Sequence, residues 1–434
     1  MKNSVKITMV SNYINHHQMP FCETVCELEG CDFKFIQTMR MEQKRIDMGW
    51  YLDPTKISYV MEAYEDHDRA YKAIMDADIL LIGWVEDESL IKDALKRCLK
   101  DSRHRRCRKD NSDKGQLIIR ISERLYREGQ WKVISPKGLI RKYFDHVRYK
   151  KAPVYLLCNG AYVASDFNLI GAYRGKMFRF GYFPRTRYFY NENDLWNNKD
   201  RIRRVDIEHK EELPGDVPTL TNEEVKIVWA GRFMPLKHPE YMIRLADDLV
   251  KAGYRFHIEM IGSGEMEESL KAEAADLMVE DYITFRGFLP PDKVRFIMER
   301  SHIHIFTSNF LEGWGAVVNE AMNGGCAEVV SEEAGVSLYL IKHEQNGLIY
   351  KDDSYDDLLC QVKKLFEEPE IIERYGREAY KTISTLWNAE KAAERLMDFY
   401  KGYMSDNIVL PDEGPFSAAP IIKPDFFKSG KLGE

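Results

Sequence analysis

The sequence predicts an α/β protein with two parallel, doubly wound sheets, one in each half of the chain. Three observations support this fold class. Short apolar runs alternate with segments of helical periodicity, the alternation stops at a polar stretch and then restarts, and 434 residues exceed what one ordinary core accommodates. We therefore expect two domains, each built around its own sheet.

The first half of the chain, residues 1–187, has the pattern of one such domain. Its predicted strands are the apolar runs VKITMV (5–10), DFKFIQT (32–38), DILLIGW (78–84) and APVYLLC (152–158). Between them, apolar residues recur at helical spacing in segments such as FCETVCELE (21–29). Because strands that alternate with helices form parallel sheets, we expect a Rossmann-like domain that closes near FRFGYFP (178–184).

The second half repeats the pattern after a polar connection at 188–222, and we expect a second Rossmann-like domain over 223–386. Its predicted strands are VKIVWAG (225–231), RFHIEMIGSG (255–264), YITFRGF (282–288), IHIFTS (303–308), CAEVVS (326–331) and GLIY (347–350). Helices are predicted at 239–253, at 291–301 and near 355–367. Another strongly helical segment covers 387–404, before a tail at 405–434.

The charge distribution restricts the classes of partner. The net charge is −7, yet residues 91–150 hold 19 Lys and Arg against 7 Asp and Glu. Such a basic region suits membrane headgroups, anionic lipid carriers or nucleic acid, and a solvated loop is the alternative. Aromatic residues among the cations in RLYREGQWKV (124–133) and IRKYFDHVRYK (140–150) favour an anionic membrane surface. We predict no nucleic-acid partner, because neither a helix-turn-helix nor an RNA-recognition signature is visible.

The predicted location is the cytoplasm, where the basic region would place the chain on the inner face of the plasma membrane. No apolar run reaches the ~18 residues needed to cross a bilayer, and the first residues read as a strand rather than a secretory signal. Eight cysteines without paired spacing are typical of reduced thiols.

The first candidate functional loop is GRFMPLKHPE, residues 231–240. It follows a predicted strand, so Arg232 and Lys237 emerge at the carboxyl edge of the sheet, where open α/β folds bind ligands. Two cations there can neutralise a diphosphate, and an arginine can bind two of its oxygens at once. The alternative is a pair of solvated charges in an ordinary connection.

Two further glycine-containing loops follow strands of the same predicted sheet. IGSGE (261–265) offers Gly262 and Gly264, which a tight turn also explains. FLEGWGAVVNEAMNGG (310–325) is more informative. Its Gly313 and Gly315 let the backbone approach a ligand closely, and the helix that follows directs N–H groups at an anion.

Two glutamates flank these glycines. Glu312 precedes the helix, where its carboxylate can accept hydrogen bonds from hydroxyl groups, and Glu320 lies about two turns into the helix, where it can hold a second diol. Helix surfaces contain many glutamates, so the pair alone is a weak signal. Three loops at one sheet edge favour a nucleotide-sugar site, because that ligand needs donors for its phosphates and carboxylates for its hydroxyls.

These segments, together with RGF (286–288) and the continuation to CAEVVS (326–331), resemble the C-terminal domain of retaining, family-4-like glycosyltransferases with the GT-B fold. The Glu-x7-Glu signature of that group matches Glu312 and Glu320. The resemblance covers about 223–400, and it implies two Rossmann-like domains that face each other across a central cleft.

The resemblance also implies roles for individual residues. Arg232 and Lys237 would hold the diphosphate, Glu320 would bind the ribose of the nucleotide, and Glu312 would contact the transferred sugar and assist the reaction centre. The residues expected to border the nucleotide are Gly262, Gly264 and Gly287.

The N-terminal half resembles bacterial surface-polysaccharide and glycolipid transferases through NHHQMPFCE (15–23) and YVASDFN (162–168), and it is expected to bind the acceptor. Many relatives carry a Gly-Gly turn after the first strand, where this chain has NYINHH. His16 or His17 is therefore a candidate to donate a hydrogen bond to phosphate or sugar, with a structural histidine as the alternative. In this fold the helix at 387–404 crosses back to the N-terminal domain; an ordinary last helix of the second domain is the alternative.

No metal and no cofactor is expected. The Asp-x-Asp patterns at 66–68 and 76–78, which other transferases use to hold a divalent ion, fall in or at the end of a helical segment. The predicted function is that of a metal-independent, retaining hexosyltransferase. It would move a sugar from a nucleotide-diphosphate sugar to a saccharide or lipid-linked acceptor in surface polysaccharide or glycolipid synthesis. The alternatives are a nucleotide-sugar epimerase or phosphorylase of the same fold, and a non-catalytic carbohydrate-binding protein.

Overall fold

The chain folds into two compact units. The computed structural model describes residues 4–47, 51–86, 88–105, 114–126, 135–189, 195–196, 224–351 and 354–422. One unit is formed by Met1–Arg185 together with Trp387–Glu434, and the other by Thr186–Leu386. The predicted connection at 188–222 falls largely outside the described residues.

Strands and helices alternate along the first unit, as the sequence pattern predicts. The strands are β1 (Val5–Ser11), β2 (Cys31–Gln37), β3 (Val60–Glu62), β4 (Ile79–Ile82), β5 (Leu117–Ser122), β6 (Val154–Asn159) and β7 (Met177–Phe180). The helices are α1 (Met19–Glu27), α2 (Gln43–Asp47), α3 (His67–Asp76), α4 (Ser89–Arg105), α5 (Pro136–Asp145) and α6 (Val163–Leu169).

The sheet of the first unit is parallel, in the order β3-β2-β1-β4-β5-β6-β7. All four residues of β4 are buried, because helices cover both faces of such a sheet and neither face meets solvent. The strand β5 lies inside the basic region 91–150, where the sequence analysis places no strand. Its apolar run contains Arg120, whose buried guanidinium donates to Glu88 at 3.1 Å.

The second unit has the same alternation. Its strands are β8 (Val225–Ala230), β9 (Phe256–Ile261), β10 (Ile283–Gly287), β11 (Ile303–Phe306), β12 (Ala327–Ser331) and β13 (Gly347–Tyr350). Its helices are α7 (Glu240–Lys251), α8 (Glu267–Asp276), α9 (Pro291–Met298), α10 (Ala316–Asn323), α11 (Ser337–Leu340), α12 (Tyr355–Glu367) and α13 (Glu370–Thr385).

The strand order of the second sheet reverses at its centre. The six strands run parallel in the order β10-β9-β8-β11-β12-β13. The chain first builds outwards from β8 to β10 and then crosses to β11 and builds the other way. In open α/β sheets, this point of reversal leaves a crevice at the carboxyl ends of the two central strands. The prediction of two parallel, doubly wound sheets is confirmed.

The last described helix, α14 (Ala389–Ser405), belongs to the first unit. The side chain of Asn388 caps it by accepting from Lys391 N at 2.7 Å, and the Phe399 ring lies 5.1 Å from the ring of Tyr155 on β6. Residues 414–419, expected in a tail, pair with β7 instead: Arg179 N donates to Ser417 O at 2.8 Å. The Phe416 side chain is buried there, which explains why this stretch is ordered against the sheet.

Disulfides and membrane-spanning helices are two features that the described residues lack. Within the described ranges, the structure contains no disulfide. Over the same part of the chain, every helix is too short or too polar to span a bilayer.

Candidate active site

Three loops meet at the carboxyl ends of β8, β9 and β11. Because β8 lies between β9 and β11 in the sheet, the loops after these strands share one edge. Backbone hydrogen bonds join them: Phe233 N donates to Ser263 O at 3.0 Å, and Asn309 N donates to Leu236 O at 3.0 Å. We call this surface the loop edge; it comprises residues 231–239, 262–266 and 307–315.

Two of the predicted glycines are required by contact between loops. A Cβ atom at Gly262 would lie 1.8 Å from the carbonyl oxygen of Gly231, and one at Gly264 would lie 2.3 Å from that of Phe233. Gly262 also has a φ of +137°, which other residues rarely adopt. The absence of a side chain at these two positions therefore lets the loops after β8 and β9 pack against each other. The contact of these glycines with a nucleotide stays a prediction.

The other predicted glycines lie beside or within the same surface. The carbonyl of Gly287, at the end of β10, accepts from Gly262 N at 2.9 Å. Gly315 precedes α10 with a φ of +97°, and a Cβ atom there would lie 2.6 Å from the Phe306 ring. Gly313 is buried in the same loop. Among the described residues no side chain caps the amino end of α10, and the N–H groups at such an end attract anions.

Lys237 and Glu312, predicted separately from two loops, form an ion pair at the loop edge. Their side chains are only 16% and 18% exposed, so the pair is largely shielded from water. A short helical turn at Pro235–Lys237 positions the lysine. Its carbonyl oxygen accepts from the hydroxyl of Thr307, and its ammonium lies 5.5 Å from the centre of the Phe306 ring. The site thus holds a partly desolvated cation and carboxylate next to each other.

Arg232 emerges at the start of the same loop and is exposed. Among the described residues its guanidinium forms no ion pair. The predicted contact of Arg232 with a diphosphate stays a prediction, and so does that of Lys237, whose ammonium already pairs with Glu312.

Glu320 lies on α10 about one turn after its first residue, Ala316, rather than the two turns predicted, and is half-buried. Burial raises the pKa of its carboxyl, and electrostatic interactions with Arg295, His304 and Arg187 oppose that shift. Protein atoms surround the carboxylate closely even though part of its surface still meets solvent. A carboxylate in this position can accept hydrogen bonds from the hydroxyl groups of a ligand with little competition from water.

The cations around Glu320 were not found by sequence reasoning. Arg295 is buried on α9, and its guanidinium donates to the side-chain oxygen of Asn323 at the end of α10. Asn323 also accepts from Arg187 N at 2.8 Å and donates to Arg187 O at 3.0 Å. The sequence Asn-Gly-Gly at the end of α10 was a signal that could have drawn attention to Asn323. Only the packing of α9 against α10, however, shows that this asparagine binds Arg295.

His238 is a second residue that the sequence analysis passed over. It adopts a left-handed backbone conformation with a φ of 44°, directly after Lys237. One ring nitrogen lies 2.8 Å from Glu240 Oε1 and the other lies 3.2 Å from Asn309 Nδ2. This bridge connects the loop after β8 with the loop after β11 and so helps to position Lys237 opposite Glu312.

His16 and His17 lie in the first unit, in the loop after β1. Their ring centres are 4.0 Å apart, and burial lowers the pKa of both, that of His17 to about 3. Both imidazoles are therefore neutral near pH 7. A neutral His16 can donate one N–H to a ligand but adds no positive charge, and its predicted contact with the donor stays a prediction.

The Asp-x-Asp patterns have structural roles. Asp66 caps α3 by accepting from Arg69 N at 3.0 Å, and Asp76 ends that helix. Asp78 accepts from Lys6 N at 2.8 Å. The interpretation of these residues as helix ends is confirmed. In the part of the chain that the structure describes, no group of three or more His, Cys, Asp or Glu side chains is arranged to hold a metal ion.

The second unit is similar in sequence to known glycosyltransferases. Residues 216–382, which contain the whole loop edge, match the family model described as glycosyl transferases group 1. An uncharacterized glycosyltransferase of Haemophilus influenzae is 25% identical over 215 residues, which are 49% of this chain and 58% of the relative. The chain spans about half the length of the curated relatives it matches.

Solved structures share the fold over nearly the whole chain. Anabaena HepE in complex with UDP and glucose superimposes with a TM-score of 0.56 at 11% identity, over 91% of this chain and 98% of the other. WaaG, a glycosyltransferase involved in lipopolysaccharide biosynthesis, gives a TM-score of 0.54 at 14% identity, over 91% and 100%.

The fold is therefore the GT-B fold of glycosyltransferases. The predicted resemblance to glycosyltransferases is confirmed, and the matching segment is the one that carries Arg232, Lys237, Glu312 and Glu320.

Proposed function

We propose that the chain is a retaining glycosyltransferase that moves a hexose from a nucleotide-diphosphate sugar to a saccharide or lipid-linked acceptor. The observation that carries the proposal is the contact between Lys237 and Glu312 at an edge that also presents Arg232 and the amino end of α10. This edge brings together positive charge for a diphosphate and a carboxylate for a sugar hydroxyl. Its position at the strand-order reversal of the sheet supports a ligand site.

The donor is proposed to bind with its diphosphate against the cations. Arg232 and the ammonium of Lys237 neutralise the phosphate oxygens, and the N–H groups at the start of α10 add hydrogen-bond donors. Glu320, deeper in the second unit, accepts hydrogen bonds from the ribose hydroxyls. Gly262, Gly264 and Gly287 border the nucleotide. At Gly262 and Gly264 a side chain would collide with the backbone of the loop after β8.

Transfer is proposed to proceed through departure of the nucleotide diphosphate. Charge develops on the leaving phosphate as the bond to the anomeric carbon breaks, and the positive groups of the loop edge stabilise that charge. Glu312 contacts the sugar while positive charge accumulates on its ring. The acceptor hydroxyl attacks from the side of the leaving group and passes its proton to a phosphate oxygen, so the anomeric configuration is retained.

Positive charge for the phosphates comes from Arg232, Lys237 and the helix end, so we propose that transfer needs neither a metal ion nor a cofactor. HepE, which shares the fold, binds UDP and glucose, and this supports a nucleotide sugar as the donor class. Turnover that survives EDTA would agree with the proposal; turnover that requires an added divalent ion would contradict it.

The first experiment is a thermal-shift screen with UDP, GDP, ADP and their sugar conjugates. A ligand that binds the folded state raises the melting temperature, so a positive nucleotide identifies the donor base. Glu312→Ala should then lose turnover by about two to three orders of magnitude while it still binds free nucleotide. Equal turnover in Glu312→Ala and wild type would refute the assigned role. Glycosidic products with inverted configuration would refute the retaining mechanism.

The turnover assay also separates the alternative functions. A nucleotide-sugar epimerase changes the donor when no acceptor is present, and a phosphorylase needs inorganic phosphate. A non-catalytic carbohydrate-binding protein binds sugar but does not consume the donor. Release of nucleotide that depends on an acceptor distinguishes a transferase from all three.

The acceptor is proposed to bind in the N-terminal part of the first unit, Met1–Arg185. A cavity of about 390 Å³ lies there at the carboxyl ends of β1, β2 and β3. Its lining includes the aromatic rings of Tyr13 and Tyr64 and the polar groups of Gln37 and Glu62. Rings can pack on the C–H face of a sugar, while amide and carboxylate groups match its hydroxyls. Tyr64→Ala should raise the acceptor KM and leave nucleotide affinity unchanged.

Synthesis of surface polysaccharide or glycolipid is the proposed setting, with the chain in the cytoplasm at the inner face of the plasma membrane. The basic region 91–150 supports attraction to an anionic lipid surface. The resemblance to WaaG, which takes part in lipopolysaccharide biosynthesis, also supports a lipid-linked acceptor.

A further inference from the structure

The helix α5 has its apolar and polar faces reversed relative to an ordinary surface helix. Its sequence PKGLIRKYFD contains four large apolar residues, and none of its ten residues is buried. The exposed fractions are 42% for Leu139, 61% for Ile140, 52% for Tyr143 and 53% for Phe144. A surface helix normally turns such residues to the core.

The spacing of these residues shows that they form one continuous face. At 3.6 residues per turn, positions i, i+1, i+4 and i+5 of a helix fall within a sector of about 140°, and this is the spacing of Leu139, Ile140, Tyr143 and Phe144. The rings of Tyr143 and Phe144 also contact each other, with centres 5.5 Å apart. We call this surface the α5 apolar face.

Polar residues occupy the side of α5 that faces the protein. Lys142 and Asp145 are half-buried, and burial lowers the pKa of Lys142. The next residue, His146, is buried and lies 3.0 Å from the hydroxyl of Tyr173. The helix is therefore anchored by its polar side, and folding leaves about half of each apolar side chain in water, at a cost in free energy.

Cations lie along one edge of the α5 apolar face and shortly after the helix. Lys137 and Arg141 lie on the same helix and are exposed, and the side chain of Arg141 is 81% exposed. Lys150 and Lys151 follow within two turns and are exposed as well. Large apolar and aromatic side chains flanked by Lys and Arg match the boundary between acyl chains and anionic headgroups of a bilayer.

We propose that the α5 apolar face inserts into the surface of an anionic phospholipid membrane. The four apolar side chains would enter the headgroup boundary, while Lys137 and Arg141 would bind lipid phosphates. This inference rests on the proposed function, in which the acceptor is lipid-linked. It names the element that would place the chain at that acceptor.

A second copy of the chain fits this face less well. A two-fold contact on this small face would place four positive charges, Lys137 and Arg141 of each copy, around one patch, and like charges repel. Four side chains also bury far less than the ~800 Å² per partner typical of a stable interface. A lipid surface avoids both difficulties, because its phosphates supply the opposite charge and its area has no edge.

The test is co-sedimentation of the full chain with two kinds of vesicle, phosphatidylcholine alone and phosphatidylcholine mixed with phosphatidylglycerol. We expect binding to the anionic vesicles that falls as salt is raised. The double variant Ile140→Ser/Phe144→Ser should lower the partition coefficient about tenfold or more, because it removes two inserted side chains. Lys137→Gln/Arg141→Gln should lower it and weaken the dependence on salt.

Leu169→Ser is the matched control, because Leu169 is 46% exposed in the same unit but lies at the end of α6. It should bind as the wild type does. Equal binding by Ile140→Ser/Phe144→Ser and wild type, or no binding by the wild type, would overturn the proposal. A wild-type dimer in light scattering that this double variant converts to a monomer would also overturn it and assign the face to self-association.

Failure of this inference can be told apart from failure of the proposed function. The nucleotide screen uses the same protein without vesicles, and the vesicle assay uses no nucleotide. A protein that binds UDP, GDP or ADP but no vesicle would refute only the membrane contact. One that binds anionic vesicles through α5 but none of the nucleotides or their sugar conjugates would refute the transferase.

Discussion

Replacement of Gly262 by alanine tests whether the loop edge is held by direct contact between two backbones. The added Cβ atom would lie 1.8 Å from the carbonyl oxygen of Gly231, and Cβ atoms essentially never come within 3.0 Å of such an atom. One of the two loops must therefore move by at least 1.2 Å, the difference between these distances. The backbone of residue 262 fixes the position of its Cβ atom, and the oxygen belongs to the backbone of Gly231, so no side-chain rotation can relieve the collision.

The expected loss of stability has two parts. Overpacking costs about 1–3 kcal/mol, and a side chain at positive φ adds about 1–2 kcal/mol. The free energy of unfolding of the second unit should fall by roughly 2–5 kcal/mol, or roughly 4–20 °C in melting temperature for a unit of this size. Nucleotide binding should weaken too, because Arg232 and Lys237 follow Gly231 in the displaced loop.

Thermal unfolding with and without the nucleotide found in the screen measures both effects. Gly253→Ala is the control: Gly253 has a φ of +75°, but nothing lies within 4 Å of an added Cβ atom. It should lose only about 1–2 kcal/mol and bind nucleotide normally. If Gly262→Ala melts like Gly253→Ala and keeps the wild-type response to nucleotide, contact between the loops does not shape the edge.

Charged and titratable residues provide three more tests. Lys237→Met should weaken nucleotide binding about tenfold in calorimetric titration, whereas Lys251→Met, at the end of α7, should not. Glu320→Gln should gain stability relative to wild type as pH rises above about 4.5. The pKa of Glu320 is raised in the folded state, so ionisation of its carboxyl lowers the free energy of unfolding of the wild type. Melting curves across pH measure the difference. Burial lowers the pKa of His146 to about 2, so the wild type should lose stability as pH falls below about 6.5, where the unfolded chain binds a proton and the folded chain does not. His146→Gln should lose less stability over the same pH range, and urea unfolding measures the difference.

Each of these tests has a contradicting result. Equal nucleotide affinity in the two lysine variants would remove Lys237 from the donor site. A stability difference between Glu320→Gln and wild type that stays constant with pH would mean that Glu320 titrates normally. Parallel pH profiles for His146→Gln and wild type would mean that His146 does not resist protonation in the folded state.

Much of the candidate site could be read from local sequence. Arg232 and Lys237 follow a strand, Gly315 precedes a helix and Glu320 sits about one turn into it, and each of these placements depends on a few neighbouring residues. Local pattern also placed most strands within about two residues of their observed ends. It missed the three-residue strand β3 and also β5. In β5 the surrounding charges and the buried Arg120 hide an apolar run, and the partner of Arg120, Glu88, lies 32 residues away.

What the sequence by itself determined is the alternation of strands and helices, the three loops and their chemistry, because periodicity and turn preference act over short distances. Only the tertiary structure decided which side chains meet. Lys237 and Glu312 are 75 positions apart, and they pair because β8 and β11 are neighbours in the sheet. The same holds for the cations around Glu320, contributed by separate elements, and for α5, whose outward apolar face depends on which side of the helix the first unit covers.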